Sequence, residues 1–146
     1  MRMSRKLLYF LLVMAVSAFC SCGRASGADF QEVYRNDGFY HIFVDAASMD
    51  DKGEYVLAWE KYVPQGQEME KRKQEYGQKY SHRMVREAFK KKTRESQALR
   101  IIDYDVEGGV MKESRRPYST SNYEEFPPNS IGAVLWDAVM RLSKNI

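Results

Sequence analysis

The sequence predicts an α+β fold, in which an antiparallel β-sheet of about five to six strands is packed by a C-terminal α-helix. Three observations support this prediction. Aromatic and β-branched residues alternate in short runs that turn sequences separate, as is typical of antiparallel strands. A charged stretch, poor in large aliphatic residues, interrupts these runs in the middle of the chain. Apolar residues then recur at helical spacing near the C-terminus.

The first predicted elements form a three-stranded antiparallel meander. Residues 30–35 and 39–44 flank Asn36-Asp37-Gly38, and Asp-Gly between two such runs favours a hairpin because both residues tolerate positive φ. A turn at residues 50–53 leads to the third strand, residues 54–63. Side chains alternate between the two faces of a strand. One face of the third strand therefore carries Tyr55, Leu57, Trp59 and Lys61.

The middle of the chain leaves two alternatives open. Residues 67–80 are rich in Glu, Lys and Gln with favourable i,i+4 pairs, which indicates either a solvated charged helix or a long connection. Residues 81–92 fit a helical stripe through Met84, Val85 and Phe89, but they also alternate as a strand. The hydrophobic period alone does not decide between these two structures.

The last third predicts a hairpin, a loop and a helix. Residues 97–104 and 110–113 flank Glu107-Gly108-Gly109, and residues 115–129 form a long irregular loop with three prolines. Asn129 or Ser130 can cap the final helix, because either side chain accepts a hydrogen bond from an unpaired backbone N–H group. The apolar side of that helix comprises Ile131, Val134, Leu135, Ala138, Val139 and Leu142.

The N-terminus has the order of a secretory signal peptide. Arg2, Arg5 and Lys6 precede an apolar run over residues 7–19, and small and polar residues follow it. The run is shorter than the ~20 residues that span a bilayer as a helix. We therefore expect residues 1–27 to be a signal peptide and residues 28–146 to form a single domain in an exported, cell-envelope protein.

Both cysteines of the chain, Cys20 and Cys22, lie at the end of this segment. Ser21-Cys22 after a short apolar stretch is similar to a bacterial lipobox, which predicts lipidation of Cys22. The alternative is ordinary cleavage after Gly27 or Ala28, which removes both cysteines. Because no cysteine follows Cys22, we expect neither a disulfide nor a thiolate metal site in the mature domain.

The net charge of +3 belongs largely to the leader. Without residues 1–27 the chain has 19 basic and 20 acidic residues, so net charge gives no reason to propose a nucleic-acid partner. The remaining basic excess lies in residues 67–95, where ten basic residues oppose five acidic ones. Lys90, Lys91 and Lys92 are its densest part. They predict contact with an anionic partner, and the alternative is a solvated basic turn.

A second candidate contact surface is the loop that starts at residue 115. Tyr118 and Tyr123 lie beside Arg115 and Arg116 there. Tyrosine suits recognition surfaces because it contributes a large area with little loss of side-chain entropy. The alternative is that these tyrosines only fill a small, half-exposed sheet.

No pattern predicts catalysis, a cofactor or a metal site. His41 and His82 are far apart in sequence and lack a ligand-spacing motif. Nucleophile-elbow, phosphate-loop and zinc-protease motifs are absent from the sequence. We therefore expect a non-catalytic protein.

The order of several landmarks resembles a known family. They are residues 40–45 followed by Ser48, residues 56–61 with Trp59 and Lys61, residues 102–105 before Gly108-Gly109-Val110, and Pro127-Pro128-Asn129-Ser130 before the last helix. Together they resemble the surface-adhesin protein E-like family of bacterial envelope proteins. The resembling landmarks run over residues 30–140.

The resemblance implies a sheet packed by the C-terminal helix, with residues 81–90 as a strand. It also implies a surface role, since some members bind host extracellular proteins. Many relatives carry a cysteine pair, and here Lys91 or a near neighbour and Met140 occupy those places. The expected partners are a protein or an anionic glycan at the cell surface, the membrane through a lipid anchor, and a second copy in a homodimer. The alternative function is a structural or stress-related component that binds another envelope protein.

Overall fold

The structure is a computed structural model that describes residues 27–146. The predicted signal peptide, apart from Gly27, and the predicted lipidation site Cys22 lie outside the described residues. Within the described part, the α+β prediction is confirmed: the chain forms a mostly antiparallel sheet and two α-helices, one of them C-terminal.

The sheet contains eight strands, more than the five to six expected from the sequence. Two of them, β3 and β8, have only two residues each, and so short a strand leaves no alternating pattern in the sequence. The order is β1-β2-β4-β5-β6-β7, with β3 also paired to β4 and β8 also paired to β6. The bounds are β1 Phe30–Arg35, β2 Tyr40–Asp45, β3 Asp50–Asp51, β4 Tyr55–Pro64, β5 Tyr80–Lys90, β6 Glu95–Asp105, β7 Val110–Arg115 and β8 Glu124–Glu125.

The two α-helices are α1, Gly66–Tyr76, and α2, Ile131–Leu142. The charged stretch is therefore a helix, which ends where Gly77 adopts a positive φ of 111°. The ambiguous segment 81–92 belongs mostly to strand β5. Ser130 caps α2, since its Oγ accepts a hydrogen bond from the N–H group of Ala133 at 3.1 Å.

The core lies between α2 and one face of the sheet, which we call the core face. Val56 and Ala58 of β4 and Phe89 of β5 are buried there against Leu135 and Val139 of α2. Helix α1 lies on the same face, where Arg72 donates a hydrogen bond to the hydroxyl of Tyr40. Among residues 27–146, neither helix is long and apolar enough to cross a membrane.

The opposite side of the sheet, which we call the open face, carries the alternate side chains. The register of β4 with β5 aligns Tyr55 with Lys90 and Trp59 with Arg86. Because side chains alternate along a strand, all four lie opposite the buried Val56 and Phe89. The loop between β7 and β8 folds over one end of this face and forms the candidate site.

Candidate functional site

A cleft of about 500 Å³ lies where β4 begins and β5 ends. It brings together two segments that the sequence predicted as separate contact surfaces. We call it the tyrosine–lysine cleft, after the tyrosines and lysines that line it: Tyr55, Lys90, Lys91, Lys92, Tyr118 and Tyr123.

Three tyrosines form the aromatic wall of the cleft. The rings of Tyr55 and Tyr118 are stacked with their centroids 4.8 Å apart, and Tyr123 meets Tyr118 edge-on at 6.1 Å. Lys90 Nζ lies 4.5 Å from the centroid of the Tyr123 ring, within the range of a cation–π contact. Burial, followed by the hydrogen bond with Tyr118, raises the pKa of Tyr123. Its phenol therefore stays neutral at physiological pH.

The loop that carries Tyr118 and Tyr123 is held to the sheet by Gln97 of β6. Gln97 Nε2 donates to the carbonyl of Ser119 at 2.8 Å, and its Oε1 accepts from the Ser119 N–H group at 3.1 Å. Backbone bonds flank this contact, from Arg116 to Leu99 and from Phe126 to Arg94, each 2.8 Å long. The tyrosines are thus positioned before any partner binds.

The three lysines of the turn have different surroundings. Lys91 pairs with Asp51 at 2.6 Å and Lys90 pairs with Glu95 at 3.0 Å. The hydrogen bond from Lys91 lowers the pKa of the Asp51 carboxyl, so this pair is charged at neutral pH. Lys92 is exposed and has no carboxylate partner among the described residues. It is therefore the cation of this turn that an incoming anion can reach most easily.

The two arginines of the predicted contact loop do not line the tyrosine–lysine cleft. Arg115 lies at the end of β7, where its Nε contacts Glu113 Oε1 at 2.6 Å. Arg116 lines a neighbouring cavity of about 500 Å³ together with Glu87 and Glu124. The physical reason is that the chain leaves β7 between Arg115 and Tyr118 and crosses to the open face.

Sequence reasoning missed two residues of this site. Tyr55 was placed correctly on the third strand, but nothing local indicates that the loop tyrosines stack on it. Gln97 is an ordinary strand residue in the sequence, and only the loop crossing gives its amide two backbone partners.

Among residues 27–146, no group of three or more His, Cys, Asp or Glu side chains could hold a metal ion.

No protein-family model, curated protein or solved structure was found to match this chain. The resemblance to the surface-adhesin protein E-like family therefore stays a prediction.

Proposed function

We propose that the chain is a non-catalytic, exported cell-envelope protein, related to the surface-adhesin protein E-like family, whose tyrosine–lysine cleft binds an anionic partner. One observation carries the proposal. The basic turn at Lys90–Lys92 and the loop tyrosines Tyr118 and Tyr123, separate in sequence, line the same preformed cleft.

The cleft combines the two contributions that such a contact needs. The tyrosine rings offer apolar area that costs little side-chain entropy to order. Lys92 offers a positive charge, Lys90 lies against Tyr123 and pairs with Glu95, and Glu54 is a carboxylate that also lines the cleft. Exposed ion pairs are individually weak and are screened by salt. The bound partner must therefore make several contacts at once, and its affinity should fall as ionic strength rises.

One spatial relationship is consistent with the family part of the proposal. The resemblance implies a cysteine pair at Lys91 or a near neighbour and at Met140, and Lys91 and Met140 line the same cavity between the basic turn and α2. Trp136 of α2 also donates a hydrogen bond to the carbonyl of Lys90 at 2.7 Å. The turn and the helix are thus joined beside this cavity by a hydrogen bond.

The binding proposal is tested with two acidic probes of different chemistry, a heparin hexasaccharide and poly-L-glutamate. Lys92→Glu and Tyr118→Ala should each weaken binding of at least one probe by about tenfold, as loss of a charge contact or an aromatic anchor does. Lys71→Glu is the matched control, because Lys71 is 73% exposed on α1, away from the cleft. Equal affinity in all the variants and the unsubstituted protein would contradict the proposal.

Export and anchoring are tested on the protein from its native cells. Mass spectrometry of the mature N-terminus should give an acylated Cys22, whereas an unmodified Ala28 or Asp29 rejects the anchor. Recovery of residues 28–146 from the cytoplasmic fraction would reject export altogether. A pull-down from the native envelope, compared with a host-matrix binding assay, separates the adhesin-like function from a structural role in the envelope.

A further inference from the structure

A second cavity lies on the open face, beyond the tyrosine–lysine cleft. It has a volume of about 280 Å³, and its lining includes Phe30, Trp59, Arg100, Ile102 and Tyr104. We call it the tryptophan recess. It is predominantly aromatic and aliphatic, with a guanidinium group at its side. Binding sites for small organic groups are commonly lined by apolar and aromatic side chains with a few polar groups among them.

The cleft and the recess lie on one strand. Tyr55 lines the cleft and Trp59 lines the recess, and both belong to β4. Four residues of an extended strand span about 13 Å, and residues four apart point to the same face. On the neighbouring strand, Lys90 is paired with Tyr55 and Arg86 with Trp59. An aromatic and a cationic side chain therefore lie side by side at each end of this stretch, and the pair between them, Leu57 and Ala88, is apolar and buried.

The cations beside the recess are placed to meet an anion. The guanidinium carbons of Arg86, on the adjacent strand β5, and Arg100, on β6 beyond it, lie 5.7 and 5.8 Å from the Trp59 ring centroid. Arg86 has no carboxylate partner among residues 27–146, and Arg100 shares Glu113 with Arg115. A guanidinium group binds carboxylate or sulfate oxygens in a bidentate manner.

One carboxylate also lines the recess, and its hydrogen-bonding capacity is partly used. Asp45 is only 6% exposed, and its Oδ1 accepts hydrogen bonds from the N–H groups of Asp29 at 2.8 Å and Ala47 at 3.2 Å. Asp45 therefore already accepts hydrogen bonds from the backbone, and Arg100 is the cation that lines the recess.

We propose that the open face binds an extended acidic polysaccharide, which occupies the tyrosine–lysine cleft and the tryptophan recess at the same time. This inference rests on the proposed function of the cleft and names the class of its partner. The sugar rings enter the two cavities and pack against Tyr118 in one and Trp59 in the other, and their acidic groups contact Lys92, Arg86 and Arg100. The loop with Tyr118 borders the cleft at one end of this surface, and Ala28 borders the recess at the other end. A narrow polymer fits between such borders better than a flat membrane does.

The test measures binding of heparin fragments of increasing length to the mature protein. Affinity should rise with length until a fragment reaches both cavities, about 13 Å apart. Arg86→Gln combined with Arg100→Gln should lower the affinity for long fragments by about tenfold. It should leave the affinity for the shortest fragment that binds in the cleft unchanged. Lys92→Glu should lower the affinity for long and short fragments alike. Lys71→Glu should change neither affinity. Thermal unfolding shows that each variant is folded. Trp59→Phe provides a second recess variant with a smaller ring.

Four outcomes would overturn the inference. If the recess variants bind all fragments with unchanged affinity while Lys92→Glu lowers the affinity, the polysaccharide occupies only the cleft. In that case only the proposed function stands. If poly-L-glutamate binds in the cleft and heparin does not bind, the partner is an acidic protein. If anionic phosphatidylglycerol vesicles, but not heparin, change the fluorescence of Trp59 in a Trp136→Phe background, the open face is a membrane surface. Binding of none of these probes would reject both the inference and the proposed cleft.

Discussion

The carboxyl groups of Glu60 and Glu87 meet on the core face of the sheet, where Glu60 is completely buried. Glu60 Oε2 accepts a hydrogen bond from the Tyr62 hydroxyl at 2.8 Å, but its Oε1 has no donor among the described residues. Ser96 donates to Glu87. Burial, before all other causes, raises the pKa of both carboxyl groups. Glu60 is buried and Glu87 is half-buried beside it, and two neighbouring carboxylates repel each other, so the pair favours holding a proton.

This pair predicts that the protein loses stability as the pH rises. In the unfolded chain a glutamate releases its proton near its ordinary pKa of about 4.3, whereas the folded pair holds its proton to higher pH. Its contribution is therefore fully present below that ordinary pKa and is lost as the pH rises through the raised one. Where the folded state binds one proton more, the free energy of unfolding falls by about 1.4 kcal/mol per pH unit. Urea unfolding between pH 4 and pH 9 measures this slope.

Glu60→Gln isolates the pair as the origin of that slope. Its amide can donate to Glu87 and accept from Tyr62 without a titrating proton, so the slope should flatten and neutral-pH stability should rise. Glu70→Gln is the control, since Glu70 lies on the charged helix α1 with a side chain 66% exposed. An unchanged slope in Glu60→Gln would show that other groups cause the pH dependence.

Replacement of Asp103 by alanine should be strongly destabilising. Arg83 donates to both of its carboxylate oxygens, at 2.9 and 3.0 Å, and the Tyr80 hydroxyl donates at 3.1 Å. Asp103 is only 1% exposed, so its loss leaves a guanidinium group and a phenol without their acceptor. We expect a loss of about 3 kcal/mol in the free energy of unfolding.

A matched ion pair on the surface serves as the control for Asp103. Lys79 and Glu107 are 3.1 Å apart, but both side chains are about two-thirds exposed, at 66% and 69%. Glu107→Ala should change the free energy of unfolding very little, because exposed pairs are screened by solvent. Equal effects of the two substitutions would refute the distinction between the buried and the exposed pair.

Gly132→Ala should destabilise the protein, although alanine is the better helix former. Gly132 lies in the first turn of α2, and an added Cβ would clash with the ring of Phe126. The ring packs against the core and must move, which typically costs about 1–3 kcal/mol. Phe126→Leu should relieve the clash, so the double variant should be more stable than the sum of the two single effects. A double-mutant cycle of unfolding free energies measures this coupling, and additive effects would contradict the account.

Gln97→Ala should loosen the loop over the cleft without removing a residue that lines the tyrosine–lysine cleft. Both hydrogen bonds to Ser119 disappear, each contributing about 1 kcal/mol. Hydrogen exchange of residues 116–123 should become faster, and affinity for the acidic probes should fall. Gln31→Ala on the edge strand β1 should leave both measurements unchanged. Unaltered exchange in Gln97→Ala would mean that other contacts position the loop.

The elements predicted correctly depend on local patterns. Asp37-Gly38 indicates the first hairpin, and Ser130 before an apolar helical stripe indicates the start of α2. Strand β5 was ambiguous because its neighbours determine it. It pairs along nearly its whole length with β4 and β6, and both Ala88 and Phe89 are buried, on opposite faces.

The candidate site was predictable only as separate pieces. Lys92 and Tyr118 were each identified from composition, but their meeting depends on a loop crossing that no local pattern encodes. Arg115 was grouped with Tyr118 because the two are near in sequence, and the end of β7 separates them in space. Glu60 shares the core face with Val56 and Ala58, as strand alternation predicts, yet a carboxylate in that pattern normally indicates an exposed position.

The binding of an anionic partner in the tyrosine–lysine cleft is tested most directly by lysine footprinting. The mature protein is acetylated with and without a saturating amount of the acidic probe that it binds, and mass spectrometry measures the reactivity of each lysine. We predict that the probe protects Lys92 and Lys90, whereas Lys71 and Lys144 stay as reactive as before. Protection of the lysines of α1 with no change at Lys92 would contradict the account.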